Sequence, residues 1–214
     1  MRLPLMATTF AAAFCLASCQ TVASPAPVVA QPQAQAQHEA QVWQDRDLLF
    51  SDEFNSGQLD RTKWNVVGPD FWVNNEQQAY IDAPETVRFR NNSEVAGADG
   101  GVLALQPVFR KDFATPDGRK VDFVSGRINT RGKFEFTYGR AAARIKMPDA
   151  VGVWPAFWLL GNGQWPETGE IDIMEYVGEA DWTGVALHGE GYFGETPLVD
   201  KHFFPAGNRC YPVA

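Results

Sequence analysis

The sequence predicts an all-β domain, an antiparallel β-sandwich, and three features carry that prediction. Beyond Val42 the apolar residues alternate in short runs, turn residues interrupt those runs, and no long helical period appears. Composition agrees, with 15 Phe, 7 Trp, 19 Gly and 14 Pro in 214 residues, enough chain for one domain with a sizeable core. A net charge of -8 argues against a nucleic-acid backbone as partner and leaves a neutral ligand such as carbohydrate as the better fit.

The N-terminus is read apart from the fold. "MRLPLMATTFAAAFCLASC" has Arg2, an apolar run and then small residues, which is the pattern of a secretory signal over 1–18. The run is too short and too weakly apolar to span a bilayer. Its "LASC" end resembles the bacterial lipobox, which implies lipidation of Cys19, with plain cleavage near Ala17 as the alternative. Gln20 follows where an acid would mark inner-membrane retention, so an outer-membrane lipoprotein is expected. Residues 19–43 are Ala, Pro and Gln with almost no large apolar side chain, a composition expected to form a tether. Beyond the signal only Cys210 remains, so no disulfide framework is available, and His38, His188 and His202 lack zinc-ligand spacing.

The domain expected over 44–214 opens with "LLFSDEF", then the turn-rich "NSGQLDRTKW". "GGVLALQPVF" alternates, and "TPDG" at 115–118 predicts the turn of a hairpin. "KFEFTYGRAAARIKMP" places Phe134, Phe136 and Tyr138 on one side and continues to alternate to Met147, which predicts strands, although "GRAAARIKM" could be argued as a helix. In "VGVWPAFWLLG" a strand puts Trp154, Ala156 and Trp158 on one face, with Val153, Phe157 and Leu159 behind. Two indoles four residues apart lie about 13 Å apart along a strand. That spacing suits successive rings of a sugar chain, while burial of both indoles in the core is the other reading. Pro155 marks an edge, bulge or bend.

"GEIDIMEYVG" carries three acids with an odd interval. Glu170 and Asp172 share a face of a strand, whereas Glu175, five residues from Glu170, should point the other way. A β-bulge near Ile173 and Met174 would return Glu175 to the face of the other two and turn Ile171 toward the core. Two carboxyl groups flanking a sugar linkage are the apparatus of glycoside hydrolysis, about 5–5.5 Å apart for retention and about 6.5–9.5 Å for inversion. Asp172, between the two Glu residues, is expected to raise a neighbour's pKa as a general acid requires. A solvated acid run or a calcium cluster are the alternatives, the latter without the glycine-turned loop of the calcium motif.

"GEIDIMEYVG", "VGVWPAFWLLG" and "YGRAAARIKMP", with "SDEFN", "NNEQQAYI" and "SGRINTRGKFEF", together resemble glycoside hydrolase family 16, in particular its laminarinase-like members. The resemblance covers about Asp47 to Asp200. It implies a concanavalin A-like jelly roll with a concave cleft, and retaining endo-hydrolysis of β-1,3 or mixed β-1,3/1,4 glucans. It makes Glu170 the nucleophile, Asp172 the assisting carboxylate and Glu175 the acid/base. It further implies substrate contacts from Trp154, Trp158, Asn75 and Arg127, and from His188 near the acid/base, although a lone His is as readily a structural hydrogen-bonder. No cofactor is required, and Glu53 corresponds to a calcium ligand of some members. A monomer acting on polysaccharide follows. Ala142 stands where the family usually has an acid, and the chain ends in "RCYPVA" where the family continues for several strands, so an incomplete C-terminus is expected. An inactive glucan-binding protein, or a relative acting on a galactan such as agar or carrageenan, remains the alternative.

Overall fold

A computed structural model describes residues 47–148, 150–177 and 181–203. The signal, Cys19, the tether and "RCYPVA" lie outside the described residues. The chain divides into Met1–Ser51 and Asp52–Ala214, and everything below concerns the second unit.

That unit is all-β, with no α-helix among the described residues. Short strands come first: β1 Asn65–Val66, β2 Gln78–Tyr80, β3 Val87–Arg90 and β4 Val102–Leu105. β5 Val108–Ala114, β6 Lys120–Ser125 and β7 Ile128–Asn129 follow. β8 Ala156–Leu160, β9 Glu170–Glu175, β10 Trp182–His188 and β11 Leu198–Phe203 complete the series. They form sheets ordered β1-β7, β2-β6-β5, β3-β4 and β11-β10-β9-β8. Every pairing is antiparallel except β2 with β6, which is parallel and departs from the expected wholly antiparallel pattern.

The turn chemistry acts as expected at "TPDG". Gly118 takes φ 87°, and its amide donates to the Thr115 carbonyl at 2.9 Å, closing the β5–β6 hairpin. The alternating run Gly100 to Phe109 is two strands rather than one, because Pro107 supplies no ladder donor and separates β4 from β5. The buried core includes Ala79, Tyr80, Ile81, Val87 and Val124 around β2, β3 and β6, and Met174, Tyr176 and Ala186 in the four-stranded sheet.

The strands expected over 134–148 do not form; no named strand lies between Asn129 and Ala156. The alternation is nevertheless real. From Ala141 to Pro148 burial switches at every residue, half-buried then exposed. Side-chain alternation reads one chain, whereas a strand also needs a neighbour to complete its ladder.

Candidate active site

The site is built on β8, β9 and β10. The β-branched Ile171 and Ile173 favour a pleated conformation in β9. The register shows how the acids align. Against β8, Leu160 pairs with Glu170, Trp158 with Asp172 and Ala156 with Glu175, while Phe157 pairs with Met174. Ile173 has no partner, so the bulge lies there, as the acid spacing predicts. The β10 side shows the same slip, since Ala186 pairs with Asp172 and Gly184 with Glu175. Directly paired residues share a face, so Glu170, Asp172 and Glu175 emerge beside Trp158.

The opposite face is not what the sequence predicts for Ile171. Its side chain points away from the acids as expected, but it is 47% exposed, while Asp172 is only 4% exposed. Its cross-strand partner Leu187 is exposed as well, along with Val185 and Leu198. Facing away from a charged site does not by itself supply an apolar layer to pack on.

Each acid has a distinct setting. The Trp154 indole Nε1 donates to Oε2 of Glu175 at 2.8 Å, fixing that carboxylate beside an exposed ring. Asp172 Oδ2 lies 3.3 Å from His188 Nε2. Burial, then the charges of Glu170 and Glu175 and a hydrogen bond with Glu170, push the Asp172 carboxyl up to about 7. The sequence assigns the raised value to a neighbour of Asp172; the structure places it on Asp172, because this is the acid that is buried. Around neutrality Asp172 therefore holds its proton much of the time and can donate it in the hydrogen bond to Glu170.

His188 pairs across the ladder with Glu170. It thus stands at the Glu170 end of β9, not at the Glu175 end where a neighbour of the acid/base belongs; Gly184 occupies that place. Its Nδ1 is buried without a hydrogen-bond partner among the described residues. Trp158 is capped by Arg127, whose guanidinium carbon lies 4.8 Å from its ring centre, 4.4 Å from that of Phe71 and 5.6 Å from that of Tyr80. Arg127 and Trp158 are therefore one unit. Asn75 occupies an exposed turn at φ 52° and makes no side-chain hydrogen bond to the acids among the described residues.

Trp165 is the residue that sequence reasoning missed. It lies in the loop between β8 and β9, with its ring centre 6.1 Å from that of His188 and 5.4 Å from that of Phe193. The loop closes tightly: Gly161 donates to Gly169 at 3.0 Å, and a Cβ on Gly161 would lie 2.1 Å from the Thr168 carbonyl oxygen. A large aromatic inside "GNGQWPETGE", directly before an acid-bearing strand, was the available signal.

Among the described residues, the cluster able to hold a metal ion is Glu170, Asp172 and His188, whose ligand atoms lie within 4.8 Å of one another. Glu53, the expected calcium ligand, is exposed and outside that cluster.

Residues 93–198 match the profile of the XgeA-like catalytic GH16 domain. The beta-glucanase of Rhodothermus marinus is 40% identical over 140 residues, 62% of this chain and 44% of that protein. The keratan-sulfate endo-1,4-beta-galactosidase of Sphingobacterium multivorum is 32% identical over 184 residues, 82% of this chain and 40% of that protein. Among solved structures, the laminarinase catalytic domain of Thermotoga maritima MSB8 superposes with a TM-score of 0.64 at 31% identity, covering 76% of this chain and 64% of that one. The chain thus spans less than half the length of these two curated relatives.

Proposed function

The chain belongs to glycoside hydrolase family 16, and on that premise we propose that it is a retaining endo-β-glucanase cleaving internal β-1,3 or mixed β-1,3/1,4 bonds. The observation that supports this best is the Ile173 bulge, which puts Glu170 and Glu175 on one face beside the Trp158 ring. Glu170 attacks the anomeric carbon, and the bond to the leaving oxygen breaks as that oxygen takes the Glu175 proton. Glu175, now a carboxylate, removes a proton from water, whose oxygen displaces Glu170 from the anomeric carbon. Two inversions return the original configuration. Trp154 orients Glu175 through its 2.8 Å hydrogen bond. Protonated Asp172 donates to Glu170, holding the nucleophile in place without adding a second negative charge beside it.

Proton NMR of the first-formed product from laminarin is expected to give the β-anomer; an α-anomer would exclude retention. Glu175→Gln is expected to lose natural substrates while keeping activated aryl glycosides, whose leaving groups need no proton. Equal loss on both would remove Glu175 from the acid/base role. Likeness to a galactosidase supports a galactan as the second reading, separated by assaying agar and keratan sulfate beside laminarin. Binding of glucan without turnover would instead mean a non-catalytic carrier of the fold.

The reading includes an address and an ion. Palmitate-analogue labelling should mark the native precursor and not Cys19→Ala, with the protein in the outer-membrane fraction. Catalysis uses no metal, and calcium bound near Glu53 would raise the melting temperature of the native chain but not of Glu53→Gln.

A further inference from the structure

A pocket of about 480 Å³ opens between the β5–β6 hairpin and the segment leading into β2. Trp72, Glu76, Asp112, Arg119, Asp122 and Phe123 line it. Volume and composition are those of a small-molecule site, apolar faces with a few converging polar groups.

Its construction is specific. Trp72 and Phe123 present partly exposed rings, 44% and 42%. Arg119 lies over the Trp72 ring at 5.0 Å, tied by Nε to Asp117 at 3.1 Å and by Nη2 to the Pro69 carbonyl at 3.1 Å. Its remaining Nη1 is buried without a partner among the described residues, an unmet donor in the pocket wall. On the other wall β5 departs from regular pairing between Phe109 and Phe113. There Asp112 adopts φ 55°, and its amide donates to Asp122 Oδ1 at 2.9 Å. A non-glycine residue kept in the left-handed region within a bulge re-aims its side chain. The Asp112 carboxylate and Asp122 Oδ2 make no protein hydrogen bond among the described residues, so two carboxylates there can accept from hydroxyl groups.

The pocket is also joined to the active face. Trp158 pairs with Asp172, Arg127 bridges Trp158 to Phe71 and Tyr80, and the Tyr80 hydroxyl donates to Glu76 Oε2 at 2.9 Å. Trp72 Nε1 then donates to the Glu76 carbonyl at 2.8 Å. Resting on the glucanase reading above, we infer that this pocket is an outer subsite for a distal pyranose unit of the glucan, with ring faces against Trp72 and Phe123 and hydroxyls against Asp112 and Asp122.

The test uses the full chain carrying Glu170→Gln, so that ligand is not consumed. Calorimetry reads its affinity for β-1,3-linked oligosaccharides from the trisaccharide to the heptasaccharide. Adding Trp72→Ala or Asp122→Asn should leave the trisaccharide within about twofold and weaken the heptasaccharide on the order of tenfold. Asp122→Asn keeps an acceptor for the Asp112 amide, so it guards against a Trp72→Ala protein that fails to fold. Equal weakening at every length, or an unchanged heptasaccharide in Asp122→Asn, would overturn the subsite. If the Glu170→Gln parent binds no member of the series, the glucan reading itself falls and the subsite with it.

Discussion

Asp172 and Ile171 are neighbours in β9 on opposite faces of one sheet, and their burial is the reverse of their polarity. The acid is 4% exposed and the isoleucine 47%. On the acid face, Trp158, Ala186 and His188 stand against Asp172, through the ladder or by contact. On the other face, Leu187 and Leu198 share the exposure of Ile171. The energy spent on burial in this sheet is thus directed at chemistry: a buried carboxyl disfavours its charged form, which is how a third acid is kept beside two others.

The widest gap between the faces should appear in turnover. Glu170→Gln should lose more activity than Glu175→Gln, because nothing replaces the nucleophile, while removal of a general acid costs about 10²–10⁴-fold. Steady-state rates on laminarin check this, and a Glu170→Gln protein within tenfold of the native rate would break the contrast.

Stability should separate the buried from the exposed apolar side chains of β9. Met174 is 2% exposed, and Met174→Ala should cost about 2–5 kcal/mol by urea denaturation. Comparable stability in the two proteins would mean that Met174 packs against nothing.

The acid face should also shape the dependence on pH. With its folded value raised from 3.8 to about 7, Asp172 contributes stability that is fully present below about pH 4 and lost as pH rises through 7. The loss is at most ~1.4 kcal/mol per pH unit. Asp172→Asn should flatten that part of the curve, read by denaturation at pH 5, 6 and 7. A native slope unchanged in the variant would assign the titration elsewhere.

The smallest effect belongs to the exposed face. Ile171→Thr should change stability by no more than about 0.5 kcal/mol, since surface substitutions usually fall within that range. It should also lower self-association, measurable by light scattering, because it interrupts an exposed apolar patch. A cost like that of Met174→Ala would show that Ile171 is covered.

These contrasts mark what could be read from sequence. The bulge was legible because strand geometry has a strict period of two, and Glu175 fell on the wrong parity beside Glu170 and Asp172. The Trp154 and Trp158 face was legible for the same reason. The exposure of Ile171 was not, because it depends on whether another layer lies over it, which no local pattern records. The same limit explains 134–148, where alternation is present and the partner strand is not. That Asp172, and not a neighbour, carries the raised value depends on which carboxyl is buried, a tertiary fact. Trp165 was missed because a ring in a Gly/Pro loop has no period to betray it.

The unpaired Ile173 also bears on how this site can diverge. Losing that one codon would join Asp172 directly to Met174 and leave the acids at the spacing Glu-x-Asp-x-Glu, already in phase on a regular strand. All three would still face the same way, and only the local twist contributed by the bulge would disappear. Facing and convergence are therefore separable by one in-frame deletion. Homologous sites can differ by one residue in the length of their signature, and an alignment that insists on a fixed interval would gap the catalytic strand or mispair its last acid.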